Sequence, residues 1–222
     1  MTWYKATRPD GTDYHTGTIH YEPGKRVRPA KSSKRVLCGP GVLHASTSPE
    51  KAVSYNARWP WRLFEVEGRP FLTDDYDPHK AGFKQLCVVK EVPPYLAFGP
   101  NGKLAMRVIS KVVELDAQQI RDLAASRAAL WAALRDVSRP ALWAALRDAL
   151  RPVSWDALWD ASRAALRDVS WDASRAAVWD VLRAVVTADL VGQYGLTKQH
   201  IRILYRPWQQ VVGDPDIEEL LA

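Results

Sequence analysis

From Arg127 to Val186 the chain is built from four-residue units of the form [Arg/Trp]-[Ala/Asp/Pro]-[Ala/Val]-[Leu/Ser]. Every fourth position from Arg127 to Arg183 is Arg or Trp. The second column holds only Ala, Asp and Pro, and the third only Ala and Val. The fourth holds Leu or Ser except at Val178 and Val186. No ordinary globular segment is so restricted, and the repeat has to be explained before the fold. Single base changes separate Arg from Trp, Ala from Asp, Pro or Val, and Leu from Ser. Slippage copying of a short GC-rich unit therefore accounts for the columns without selection for any one Trp. The product must still fold, bind or stay soluble.

The stretch from Leu115 to Val191 has no Gly and is rich in Ala, Leu and Arg, which favours helix. Asp stands three residues before Arg in five places, among them Asp136–Arg139 and Asp180–Arg183, as helix-face neighbours contributing ~0.2–0.5 kcal/mol each. Trp and Arg four apart, as in Trp131–Arg135 and Trp159–Arg163, add cation–π contacts on exposed faces. Four residues overshoot one helical turn by about 40°, so a period-four stripe spirals and favours a right-handed supercoil. Pro140 and Pro152 kink or interrupt the helix. The expectation is a long, kinked helix or a series of short ones, whose Trp residues need cover from the chain, a second copy or another partner.

With 222 residues, one or two domains are expected. The start, MTWYKATRPDGTDYHTG, is polar and no apolar run approaches the length of a membrane span, so a cytoplasmic protein without membrane contact is expected. Cys38 and Cys87 are then expected as free thiols. Residues 1–116 hold 18 Lys/Arg against 12 Asp/Glu, whereas residues 117–222 hold 13 of each, so the net charge of +6 lies in the first part. The run KRVRPAKSSKR, with Lys25, Arg26 and Arg28, is a solvated loop or a phosphate-backbone contact.

Strands are expected at 2–7, 35–38, 62–66, 85–89 and 104–113, the last for its alternation of Leu104, Met106 and Val108 against Ala105, Arg107 and Ile109. Ser48 caps a short helix opening at Pro49, and Asp116 caps the long one. The fold class read from this order is α+β. A small mixed α/β domain (1–116) precedes a long, kinked helical tetrapeptide-repeat region (117–187), and a short helical cap (188–222) closes the chain.

The segments YKATRPDGT, GTIHYEPGKRVRP, KRVLCGPGVLHASTSPEKAVSY, RLFEVEG and KLAMRVISKVVEL, through Tyr4, Lys5, Tyr21, Gly24, Lys25, Cys38, Gly41, His44, Tyr55, Phe64, Glu65 and Glu67, resemble an uncharacterised domain that opens phage and prophage proteins. That family's second Cys, just after the His, is absent here. The resemblance covers residues 1–116 and implies a phage origin with no known activity. DLVGQYGLTKQHIRILYRPWQQVVG is similar to the ending of repeat proteins in phages of GC-rich hosts. Arg8, then Ser46-Thr47-Ser48 before a short helix, then Glu65 and Glu67 also resemble the motif order of arginine-type ADP-ribosyltransferases. That resemblance implies NAD support by Arg8 and Ser46 and ribose orientation by a carboxylate, Glu65 or Glu67. The spacing departs from the family, because its catalytic pair lies on a later strand and Lys84–Val89 carries no carboxylate.

Cys38 and His44 lack two further ligands for a metal, and Asp74, Asp75, Asp77 and His79 read as a solvated loop, so no metal site and no cofactor are expected. His15, His20 and His79 are expected to be structural. In the tail, a helix-turn-helix would present Lys198, Gln199, His200 and Arg202, but Pro207 is expected to stop its second helix and the acidic end repels phosphate, so a packing cap is favoured. The function expected from the sequence is non-catalytic binding of a host or phage macromolecule, a protein ahead of a nucleic acid. Self-association through the repeat is expected to accompany it. Lys25, Arg26, Arg28, Trp131, Trp143, Trp155, Trp159, Trp171 and Trp179 are the candidate binding residues. The alternatives are an NAD-handling enzyme using Arg8, Ser46, Glu65 and Glu67, and a nucleic-acid-binding protein using residues 25–35.

Overall fold

The computed structural model of the chain describes residues 2–29, 36, 37, 39, 41–55, 57–74, 77–133, 142–144, 172–213, 217 and 221. They fall into two compact units, Met1–Ala97 and Phe98–Ala222.

The first unit is a seven-stranded antiparallel sheet with a short helix. Its strands are β1 (Trp3–Thr7), β2 (Arg26–Val27), β3 (Leu43–Ser46), β4 (Arg62–Glu67), β5 (Pro70–Thr73), β6 (Lys80–Phe83) and β7 (Leu86–Val92), in the order β2-β7-β4-β1-β3-β6-β5. Alternation along the strands sends Trp3, Leu43, Ala45, Phe64, Val66, Ala81, Phe83, Leu86 and Val88 into one core, which Tyr21 and Val27 complete. Trp3 meets Phe83 edge-on at 5.1 Å, and Tyr21 stacks on Phe64 at 6.4 Å. The helix α1 (Pro49–Val53) lies between β3 and β4, with the Ser48 side chain accepting from the Lys51 N–H as expected.

The strands expected at 2–7, 62–66 and 85–89 are present, the last running on to Val92 and so carrying Glu91. Of the strand expected at 35–38, Val36 and Leu37 are described and neither is extended in the sheet, while the rest lies outside the described residues. The strand expected at 104–113 is instead helix α2 (Gly102–Glu114). Ala105, Val108, Ile109 and Val112 are buried along it, spaced three and four apart; the apparent alternation is a by-product of that helical stripe.

The second unit is helical. After α2 come α3 (Ala117–Ala133), α4 (Asp172–Thr187) and α5 (Lys198–Val211). Asp116 and Gln119 cap α3 reciprocally, each backbone N–H reaching the other's side chain at 3.1 and 2.8 Å. Residues 177–182 and 184–186 of α4 are all buried, since α2, α3 and α5 all pack against it. Pro207 does not stop α5, which continues to Val211. Its missing N–H costs one backbone bond, and burial of Ile201, Leu204, Tyr205 and Trp208 around it outweighs that loss.

The two described ends of the repeat fold back on each other. Arg127 Nε and Trp131 Nε1 donate to the Asp180 carboxylate at 2.6 and 3.1 Å, and Arg183 donates to its other oxygen at 3.3 Å. One straight, unbroken helix from 127 to 180 would hold these groups roughly 80 Å apart, so that form is excluded. Asp180–Arg183 is the expected pair, but Asp180 is 1% exposed rather than on a solvated face. Trp131 stacks on Trp143 at 5.8 Å, and the Arg183 guanidinium lies 4.9 Å from the Trp143 ring. Pro140 and Pro152 lie outside the described residues.

Removing the Asp180 carboxylate takes one shared acceptor from two guanidinium groups and an indole N–H. Because Arg127 and Arg183 are about a fifth exposed, the loss is smaller than for a fully buried pair. Asp180→Ala is expected to destabilise the full chain by about 2 kcal/mol in urea unfolding followed by Trp fluorescence. An unchanged midpoint would show that the network contributes nothing.

Candidate functional site: a cationic cleft in a split sheet

β1 pairs with β4 at five register positions but with β3 at only one, Tyr4 opposite Ser46. Continued antiparallel pairing would set Lys5 opposite Ala45 and Ala6 opposite His44. Those pairs do not form, and the same residues line a cleft of about 380 Å³ between the strands. Tyr14 and His15 line it from the loop after β1, Ala52, Ser54 and Tyr55 from α1 and its end, and Lys80 from β6. The loop is held in shape by Asp13, whose carboxylate accepts from the Thr16 N–H (2.6 Å), the Thr16 hydroxyl (2.7 Å) and the Ile19 N–H (3.0 Å). Gly17 permits the loop's turn at φ +69°.

The cleft is cationic and aromatic. None of its described lining residues is acidic. The Lys80 ammonium sits 4.4 Å from the Tyr55 ring centre, and the Tyr55 hydroxyl donates to Asp77. Lys5 lies 5.6 Å from the Tyr21 ring centre. Burial, reinforced by the charges of Lys5, Lys80 and His15, pushes His44 down to about 4. His44 is therefore neutral at neutral pH, with one ring nitrogen donating and the other accepting. For Asp13, burial opposes ionisation, but the Thr16 and Ile19 amides and the Thr16 hydroxyl prevail and hold the carboxyl below its ordinary range. The arrangement can hold an anion; among the described lining residues it offers no carboxylate to orient a ribose or relay a proton.

The sequence-level candidates are dispersed. Ser46 is buried and lines the cleft. Arg8 lines a different, open depression with Arg58, Trp59 and Pro60. Glu65 stands opposite Tyr4 and pairs with Lys90 at 3.2 Å, while Glu67 lines a third depression with Arg26, Phe71 and Cys87. Arg8, Ser46, Glu65 and Glu67 thus do not line one site. Glu91, on the extension of β7, is held by Arg62 through two bonds of 2.9 and 2.6 Å. Lys25 and Arg26 are exposed, Arg28 donates to Gln85 at 2.7 Å, and residues 30–35 lie outside the described residues.

Trp131 and Trp179 are 6% and 7% exposed and Trp143 is half-buried, so the chain itself covers them. Trp155, Trp159, Trp171 and Cys38 lie outside the described residues. Cys87 is a free thiol. No group of three His, Cys, Asp or Glu is gathered for a metal ion among the described residues, and none of their helices is long and apolar enough to cross a membrane. His200 caps α5, its Nδ1 accepting from the Thr197 N–H at 3.3 Å, and the Lys198 ammonium donates to the Leu221 carbonyl.

Sequence reasoning passed over Lys5, His15 and Lys80 as site residues. One signal was available: strand alternation places Lys5 on the same face as the core residue Trp3, where a lysine needs a reason. Tyr4, Lys5, His44 and Tyr55 all line the cleft. Compared with protein-family models, curated proteins and solved structures, the chain matches none.

The His44 environment has a pH signature. Its folded pKa lies below the ordinary value of 6.5, so the unfolded chain binds the proton more readily. Stability present above pH 6.5 is lost as pH falls through the window down to about 4. His200, also lowered by burial, acts in the same direction from the other unit. Tm of the full chain is expected to fall between pH 7 and pH 5, and to fall less in His44→Gln. Identical profiles for the two proteins would remove His44 as a contributor.

Proposed function

We propose that the first unit is a non-catalytic nucleotide-binding module, with the phosphate held by Lys5 and Lys80 and the base laid against the tyrosine rings. The observation that carries this reading is the cleft at the parted edges of β1 and β3, with two lysines, two histidines and three tyrosines and no acidic residue among its described lining. Its volume of about 380 Å³ falls within the ~300–1,000 Å³ typical of small-ligand pockets. Lysine supplies a point charge for phosphate, tyrosine a flat face for a base, and neutral His44 a hydrogen bond that adds no charge. The non-catalytic character expected from the sequence is retained, and the binding role passes from the repeat to the sheet. An NAD-handling enzyme built on Arg8, Ser46, Glu65 and Glu67 is less favoured, because Arg8, Ser46 and Glu67 line separate depressions and Glu65 pairs with Lys90.

Calorimetric titration of the full chain with AMP and with adenosine tests the reading. AMP is expected to bind more tightly than adenosine and to weaken with added salt, as phosphate contacts do. Lys80→Gln is expected to weaken AMP about tenfold, the effect of losing one charge-assisted hydrogen bond. Absence of AMP binding at millimolar concentration would overturn the assignment.

A further inference from the structure

The cleft and the open depression near Arg8 share one residue, Tyr14. Its hydroxyl donates to the Arg58 carbonyl at 2.8 Å, which ties the loop after β1 to the segment that leads into β4. The Arg8 guanidinium donates to the Tyr14 carbonyl at 3.4 Å. Tyr14 is therefore held through both its side chain and its backbone where the two hollows meet.

The two hollows differ in chemistry. The cleft carries Lys5 and Lys80 and is lined by tyrosine rings without a described Trp. The depression, of about 780 Å³, is lined by Trp59 and sets Arg8 and Arg58 beside Asp10. Trp59 is half-buried, and its edge contact with the buried Trp61 at 4.8 Å sets the plane of its ring. Asp10 accepts from the Thr12 N–H at 2.8 Å and from the Thr12 hydroxyl at 2.7 Å, both on Oδ1, so Oδ2 can accept a further bond. That carboxylate makes the depression a poor place for a second anion. A flat, uncharged ring bearing an amine suits it better: the ring stacks on the indole and the amine donates to Asp10.

We propose that the ligand is a dinucleoside monophosphate, whose single linking phosphate lies between Lys5 and Lys80. One base rests on the tyrosine rings of the cleft, and the second passes Tyr14 to stack on Trp59 with its amine toward Asp10. The assignment rests on the nucleotide reading above and lengthens the ligand by one nucleoside. All the negative charge stays in the cleft, so Asp10 does not oppose binding and instead selects a base with an exocyclic amine.

The test titrates the full chain with adenylyl-adenosine (ApA) and with the methyl ester of AMP, which carries the same single charge but lacks the second nucleoside. ApA is expected to bind roughly tenfold more tightly, the gain from stacking one base on an aromatic ring. Trp59→Ala should lower ApA to the affinity of the methyl ester and leave the methyl ester unchanged. A second measurement uses the wild type alone: ApA should quench part of the Trp emission and the methyl ester should not, because Trp59 lines only the depression. If ApA binds no more tightly than the methyl ester, or binds without quenching, the second-base site is wrong and the cleft stands. If AMP itself does not bind at millimolar concentration, both readings fall together.

Discussion

The first unit depends on one backbone register pair, Tyr4 opposite Ser46. On one side of it β4, β7 and β2 are tied to β1 through five paired positions; on the other, β3, β6 and β5 are tied through this one. The same register runs on in both directions, through Ser46 to Lys80 and through Tyr4 to Glu65 and Lys90. Side chains in such a row lie on one face and support one another across the strands. The pair therefore acts as a hinge pin: it keeps the two parts of the sheet in one layer while allowing β1 and β3 to part beyond it. The apolar contacts of Trp3 with Phe83, and of Leu43 and Ala45 in the same core, keep the parting from spreading. A fully zipped β1–β3 ladder would bury more backbone and leave no cleft.

In the second unit the comparable constraint is the Asp180 carboxylate. A four-residue repeat of small and apolar residues is a poor specifier of register, because sliding one helix by a unit replaces each residue with its near equivalent. A buried carboxylate bonded to Arg127, Trp131 and Arg183 breaks that equivalence, since a slip would strand the charge in an apolar interior. Arg127, Asp180 and Arg183, drawn from the repeat's Arg and Asp positions, act here as an internal key. Of the Trp residues described there, Trp131 and Trp179 fill interior space and Trp143 is half-buried.

What was legible in the sequence was the part governed by local chemistry. Ser48, Asp116 and Thr197 each cap the helix they precede, since a side chain two or three residues from its amide partner needs no tertiary context. β1 and β4 were readable because Trp, Tyr, Phe and Val alternate there. β3 and β6 were not: Leu43-His-Ala-Ser and Lys80-Ala-Gly-Phe lack the β-branched and aromatic density that marks a strand, and neighbours on both sides hold them in place. Residues 104–113 satisfied two periods at once, and only packing against α4 decides between them. The cleft was hidden for a related reason. Its residues run from position 4 to position 80 on six separate segments, and they are gathered by an absence of pairing that no local pattern encodes.

The positive charge of the first unit is better understood by what each cation faces than by its sum. Arg62 and Lys90 are taken up by Glu91 and Glu65, and Arg28 by Gln85. Lys5 and Lys80 lie against the rings of Tyr21 and Tyr55, and Lys5 also acts on the Asp13 carboxylate. A carboxylate neutralises the ammonium it binds; a ring face attracts the ammonium and leaves its full charge to act outward. The effect on His44 is visible, because both lysines help to keep it neutral. An anion in the cleft meets both lysines in a partly enclosed space, where a charge is worth more than at the surface. Both lysines line the place where the sheet comes apart, whereas Lys25 and Arg26 of the basic run are exposed.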